Sequence, residues 1–203
     1  MLFALFRAPK VPLVSGWTGL GNRPLRLEGT LFLTLFLFSY RVIHQMKIAV
    51  ISDTHLEYAT EGFRRHMTTL FGDVDVMIHA GDMTSSNVLD YLSGWDLRAV
   101  RGNMDDPGLQ AALPQKRIEE IAGRRIGIIH GWGSPRGLED AVLHAFSDVD
   151  IIVFGHTHVP LNVIKGGIVL FNPGSYRGGY SARGTVGVIE IGQDITLRHI
   201  EVQ

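Results

Sequence analysis

Short apolar segments that alternate with helical stretches, each ending on polar residues, limit this chain's folding more than any other feature. Residues 47–52, 74–79 and 97–101 read as strands, and residues 60–71 and 86–93 between them read as helices, the second with a serine placed to cap it. The unbroken apolar run at 47–52 is the kind expected for a strand covered on both faces. Strand, helix, strand, helix, strand in that order predicts a parallel sheet with crossover helices. The second half predicts strands at 126–130 and 151–154 around a helix at 138–146. Residues 162–165, 168–171, 185–191 and 195–201 then predict antiparallel hairpins, with turn signals at Gly166-Gly167 and Gly192-Gln193. The expected architecture is α/β with a second, mixed sheet.

Polar residues that compete for metals follow these strands directly: Asp53-Thr54-His55, Gly81-Asp82, Gly102-Asn103, His130-Gly131 and Gly155-His156-Thr157-His158. Open α/β sheets bind ligands beyond the carboxyl ends of their strands, so five such sites can converge. In an extended segment, residues two apart point the same way, which predicts that Asp53 and His55 grip one ion. Asn103 offers a neutral oxygen, and two imidazoles two apart behind Gly155 make a chelate. Taken singly, each motif also has an ordinary structural reading, such as a turn Asp or Asn, or a hydrogen-bonded histidine. His44, His66, His79, His144 and His199 fit no ligand spacing and are read as structural or exposed.

Residues 1–45 differ in character. They contain a Pro/Gly-rich stretch and a ten-residue apolar run at 31–40, too short for a bilayer, which needs roughly 20 apolar residues. No small-residue cleavage site follows that run. The expectation is a domain at 46–203 opening at Met46, preceded by a disordered extension or a mis-assigned start. A membrane-associating leader is the alternative. Lys plus Arg (19) nearly balance Asp plus Glu (20), so no global field favours a nucleic-acid backbone or an anionic membrane. With no cysteine, thiolate metal sites and disulfides are excluded.

In sequence order, Asp-x-His, Gly-Asp, Gly-Asn, His and Gly-His-x-His resemble the motifs of the calcineurin-like metallophosphoesterase superfamily. The chain looks closest to its small bacterial and archaeal phosphodiesterases, the YfcE-like branch. The resemblance runs from Met46 to about Gln203 and includes Asn172-Pro173-Gly174-Ser175. It implies a four-layer α/β/β/α sandwich of two mixed β-sheets flanked by helices. It further implies that Asp53, His55 and His158 hold a first divalent cation, that Asp82 bridges to a second, and that Asn103, His130 and His156 complete the second site. Asp82, Asn103 and His130 are then the catalytic residues, acting through the metals in hydrolysis of a phosphate ester by in-line attack of a metal-bridging hydroxide. Mixed N and O ligands suit Mn²⁺, Fe, Ni²⁺ or Zn²⁺, with Mn²⁺ favoured.

One departure bears on substrate. Many superfamily members carry histidine directly after Gly-Asn, where it protonates the leaving group, and this chain has Met104. The branch often has cysteine there, so the resemblance stands, but the methionine favours diesters over monoesters. Asp105 and the loop carrying Arg136 are further candidates around the site. No nucleophile elbow, P-loop or dinucleotide fingerprint competes with this reading. The expected setting is cytoplasmic, with a small phosphate-ester substrate, no specific nucleic acid, no stable membrane span and a homo-oligomer in keeping with the family. The rival reading is a scaffold of the same fold, like the retromer subunit. Such scaffolds lose ligands, whereas this chain keeps all seven side chains.

Overall fold

The computed structural model describes residues 45–178 and 183–202. The proposed extension, residues 1–45, lies outside them except for Gln45, and so do the apolar run at 31–40 and His44. Strand β1 (Met46–Ile51) is followed by α1 (Glu61–Phe71), β2 (Val76–His79), α2 (Ser86–Leu92) and β3 (Leu97–Ala99). After these come α3 (Pro107–Ala112), β4 (Lys116–Ile121), β5 (Arg124–Ile129), α4 (Leu138–His144) and β6 (Ile151–Val153). The chain closes with β7 (Leu161–Lys165), β8 (Ile168–Asn172), β9 (Gly184–Ile191) and β10 (Ile195–Val202). Three of the four described helices, α1 to α3, start on a capping side chain. The hydroxyls of Thr60 and Ser85 and the carboxylate of Asp106 each accept a backbone N–H of the first turn, with Pro107 opening α3.

The strands form two five-stranded sheets, ordered β10-β9-β1-β2-β3 and β4-β5-β6-β8-β7. β1, β2 and β3 are parallel as expected, and β9 returns antiparallel to β1. In the second sheet β5, β6 and β8 run parallel, with antiparallel β4 and β7 at its edges.

Alternation along the strands makes the layers. In β1, Ile48 and Val50 join the core between the two sheets, with Ile78, Ile128, Val153, Phe171 and Ile189. Ala49 and Ile51 face the helical layer of Phe63, Met67 and Phe71 from α1 and Leu92 from α2. These three α1 side chains are fully buried, each contributing about 1.5–3 kcal/mol of transfer free energy. On the other outer face, Ile129, Ile152, Phe154 and Leu170 pack on Leu138 and Val142 of α4. The result is the four-layer α/β/β/α sandwich of two mixed sheets.

The sequence pattern passed over α3 and β4. β4 is a mostly charged sheet edge, with Ile118 and Ile121 its apolar residues, and its turn to β5 places Ala122 as well as Gly123 at positive φ. Alanine is not a turn signal, so this hairpin leaves little trace. Among the described residues no helix is long and apolar enough to cross a membrane.

Candidate metal centre

β1, β2, β5 and β6 are central strands, and the segments that leave their carboxyl ends converge. Asp53 N–H donates to the Gly81 carbonyl (3.0 Å) and His55 N–H to the Asp82 carbonyl (3.2 Å), tying the first two motifs together. Gly155 N–H donates to the His130 carbonyl (3.0 Å) and joins the fourth to the fifth. The backbone is unusual here. Of eight non-glycine residues with positive φ among the described residues, five are predicted ligands: Asp53, His55, Asp82, His156 and His158. Each such conformation costs of order 1 kcal/mol or more and persists only where its surroundings impose it. Asp53 and His55 therefore do not meet by strand alternation, as the sequence reading expected. Left-handed turns at φ 52° and 46° bring them together once the strand has ended.

Five predicted ligands form a compact cluster. Asp53 Oδ1 lies 3.1 Å from His158 Nε2, 3.9 Å from His55 Nε2 and 4.0 Å from His130 Nε2. Asp82 Oδ2 lies 3.3 Å from His130 Nε2 and 3.9 Å from His55 Nε2. Two triads able to hold a cation result, Asp53–His55–His158 and Asp53–Asp82–His130, with Asp53 common to both. The other two predicted ligands sit together at the rim. His156 Nδ1 is 3.1 Å from Asn103 Oδ1, its Nε2–H donates to the Gly133 carbonyl (2.8 Å), and its ring meets that of His130 edge to face. His156 belongs to neither triad.

The cluster fits a cation by its own chemistry. His130 donates Nδ1–H to the Ala80 carbonyl (2.8 Å), which leaves the Nε2 lone pair facing two carboxylates. His130 Nε2 and Asp53 Oδ1 are both buried without a hydrogen-bond partner. Buried acceptors that face one another repel unless a cation or a proton lies between them. Burial opposes charging His130, but Asp82 and Asp53 outweigh it and hold its pKa above the usual value. Contact with Asp53 likewise raises His158, whereas burial lowers His55. Burial works against ionising Asp82, yet His130 and the Met104 N–H bring its pKa below the ordinary range.

A supporting shell aims the carboxylates. Asp53 Oδ2 accepts Ser52 Oγ–H (2.5 Å) and the His156 N–H (3.1 Å), leaving Oδ1 free. Ser175 Oγ–H donates to the Asp53 carbonyl (2.9 Å), and Met104 N–H to Asp82 Oδ1 (2.7 Å). Buried Asn172 donates to the Gly155 carbonyl (2.8 Å) and Thr157 Oγ1 (3.1 Å), anchoring the two-histidine loop. Close approach requires two of the glycines. A Cβ at 102 would overlap the Asp82 carboxylate, and one at 155 would overlap Ser52 Oγ.

Ser52, Asn172 and Ser175 were not predicted as site residues. Only the strand end at Ser52 and the Asn172–Ser175 motif hinted at them. Asp105 proves structural: its buried carboxylate accepts Thr84 N–H and Gly102 N–H (both 2.7 Å) and holds the loop. His79 is structural as expected, fully buried beside Thr54 and pushed down to about 3 by burial. His66, His144 and His199 also meet structural partners: the Tyr176 hydroxyl and the carbonyls of Asp140 and Asn172.

Two cavities open beside the cluster. One, of about 240 Å³, reaches it at Asn103 and His130 and is lined also by Arg101, Gln110, Gln115 and Trp132. The other, of about 570 Å³, reaches it at His55 and is lined also by Glu57, Tyr58, Met104 and Arg177. Arg136, the arginine singled out from sequence, is exposed and lines neither.

Comparison with known proteins agrees with this architecture. A family model described as the calcineurin-like phosphoesterase superfamily domain matches residues 46–194. A probable metallophosphoesterase of Methanocaldococcus jannaschii is 42% identical over 136 residues, 64% of this chain and 68% of that protein. A solved structure described as a novel archaeal phosphodiesterase superposes with a TM-score of 0.63 at 24% identity, covering 77% of this chain and 99% of that one. Zinc-complexed Vps29 from Entamoeba histolytica superposes at 0.54 and 21% identity, over 78% of this chain and 100% of that one. At these identities the two structures bear on the fold.

Proposed function

The chain belongs to the calcineurin-like phosphoesterase superfamily, and from that premise we propose that it is a phosphodiesterase working with two divalent cations. The observation that carries this reading is the pair of buried, unpartnered acceptors, Asp53 Oδ1 and His130 Nε2, set among three further donor groups. We assign Asp53, His55 and His158 to one cation and Asn103, His130 and His156 to the other. Asp82 is placed between them because its Oδ2 lies near both His55 and His130. Bound there, such cations lower the pKa of water and neutralise charge on phosphoryl oxygens. Mn²⁺ is the ion we favour for this N and O donor set.

The protein's own part is positioning. Ser52 and the His156 N–H turn Asp53 so that one oxygen faces the cluster, and Met104 N–H does the same for Asp82. The Ala80 carbonyl holds the proton of the neutral His130 ring on Nδ1, which directs the Nε2 lone pair of that form to the cluster. Met104, behind Asn103, carries a thioether that donates no proton to a leaving group. A phosphodiester with a good leaving group suits such a site better than a monoester.

The test is Mn²⁺-dependent hydrolysis of bis-p-nitrophenyl phosphate by wild type, Asp82→Ala and His156→Ala, with p-nitrophenyl phosphate run alongside. The reading expects diester turnover that both variants lose and that the monoester does not match. Equal activity in all three proteins would end the enzymatic reading, and a strong monoester preference would end the diesterase assignment.

A further inference from the structure

The two cavities meet the ligand cluster at different groups, one at Asn103 and His130 and the other at His55. A phosphate monoester has one organic group to place, whereas a diester has two. The cavity walls also differ in chemistry. The smaller holds Arg101, Gln110 and Gln115, with no carboxylate among its lining residues, and Trp132 stands 48% exposed at its side. Arg101 is held by donation of Nη1–H to the Gln110 carbonyl (2.6 Å). Gln110 donates its amide to the Gly102 carbonyl, so the wall offers the remaining guanidinium N–H groups of Arg101 and the Gln115 amide beside the Trp132 indole. The larger cavity sets Glu57 against Arg177, with exposed Tyr58 and Met104 supplying apolar surface. Arg177 is partly engaged, donating to the His55 carbonyl (3.1 Å).

Large apolar side chains exposed beside a catalytic cluster call for a partner, and an indole face flanked by donors suits a flat ring bearing acceptors. We propose that the two cavities hold the two ester arms of one phosphodiester: a planar, acceptor-rich arm of the nucleobase kind against Trp132 and Arg101, and an arm of no net charge against Tyr58 and Met104. This rests on the phosphodiesterase reading and names its substrate class, a nucleotide diester. Trp132 and Tyr58 are specificity determinants that contact substrate, outside the ligand cluster.

The experiment compares two diesters that share one arm, the p-nitrophenyl ester of thymidine monophosphate and methyl p-nitrophenyl phosphate, as the ratio of their kcat/KM values. Wild type favours the thymidine ester. Trp132→Ala lowers that ratio about tenfold, the scale of one base stacked on an aromatic side chain, and Trp132→Phe restores most of it. Tyr58→Ala lowers both values together and leaves the ratio in place. A second readout needs no turnover: a thymidine dinucleotide quenches the intrinsic fluorescence of the protein saturably, and Trp132→Phe removes the quench. If wild type hydrolyses neither diester but the quench is present and depends on Trp132, the phosphodiesterase reading falls and the nucleobase cavity stands. An unchanged ratio in Trp132→Ala, or no Trp132-dependent quench, overturns the cavity assignment whatever the activity.

Discussion

Asp53, Asp82 and His130 form a buried floor, whereas Asn103 and His156 lie at a rim that is exposed or half-buried. On the floor each donor group is aimed by a backbone or hydroxyl partner on its far side: Ser52, Met104 N–H or the Ala80 carbonyl. At the rim His156 Nε2–H donates to a loop carbonyl, Gly133, and its Nδ1 faces the Asn103 Oδ1. The floor keeps repelling acceptors together because the surrounding hydrogen bonds allow no other arrangement. On the proposed reading the floor sets the affinity for a cation and the more adaptable edge supplies the last ligands.

The largest expected effect breaks the comparison outright. Asp82→Ala should lower kcat/KM for bis-p-nitrophenyl phosphate about a thousandfold, the several kcal/mol a metal ion supplies, while Asn103→Ala should cost about tenfold. Equal losses would show that floor and rim do not differ. Next in size is Ser52→Ala, which removes one of the two hydrogen bonds to Asp53 Oδ2 without touching a ligand; Mn²⁺ affinity measured by calorimetry should weaken about 10–100-fold. Unchanged affinity would mean that the Ser52 hydrogen bond does not aim the carboxylate. Smaller is the thermal effect of Mn²⁺ itself. At a hundredfold excess over Kd the melting temperature of wild type should rise by about 5–10 °C relative to protein in chelator. Asp82→Ala should lose that rise, and Asn103→Ala should keep most of it.

The smallest effect concerns the layer beneath the floor. His79 has a folded pKa of about 3 against 6.5 for the free side chain. The unfolded chain therefore takes up a proton that the folded protein refuses. The stability cost is absent above about pH 6.5, grows as pH falls through the interval down to about 3, and is constant below it. At pH 5.5 it amounts to on the order of 1 kcal/mol. Acid unfolding of His79→Gln should be shallower across this interval, and identical profiles would remove His79 as its cause.

Much of this was legible beforehand. The apolar runs at 47–52 and 151–154 announced central strands because both faces are covered, and Gly166-Gly167 and Gly192 marked hairpins that form. Edge strand β4 was not legible, since a partly solvated strand whose charges come in adjacent pairs, without period-2 alternation, looks like a polar loop. The cluster was legible as an ordered set of strand-end motifs. Its supporting residues were not, because Asn172 and Ser175 act through hydrogen bonds to residues distant in sequence, Ser175 reaching Asp53 across 122 positions and Asn172 reaching Gly155 across 17, while Ser52 reads as one more residue of the strand end. The same holds for the arginines. Arg136 stood in a suggestive loop, yet Arg101 and Arg177 are the ones that line the cavities.

By itself the sequence determined the alternation of strands and helices and which donor atoms are available at their ends, because periodicity and residue chemistry are local properties. It also determined that Met104, directly after Gly102-Asn103, offers no proton to a leaving group. Only the tertiary structure decided that Asp53 and His55 meet through left-handed turns and not along a strand, that Asp53 is common to both triads, and that Asn103 and His156 stand apart at the rim. Those outcomes depend on where separate strand ends are placed by the packing of two sheets, and no local pattern encodes a distance between segments a hundred residues apart.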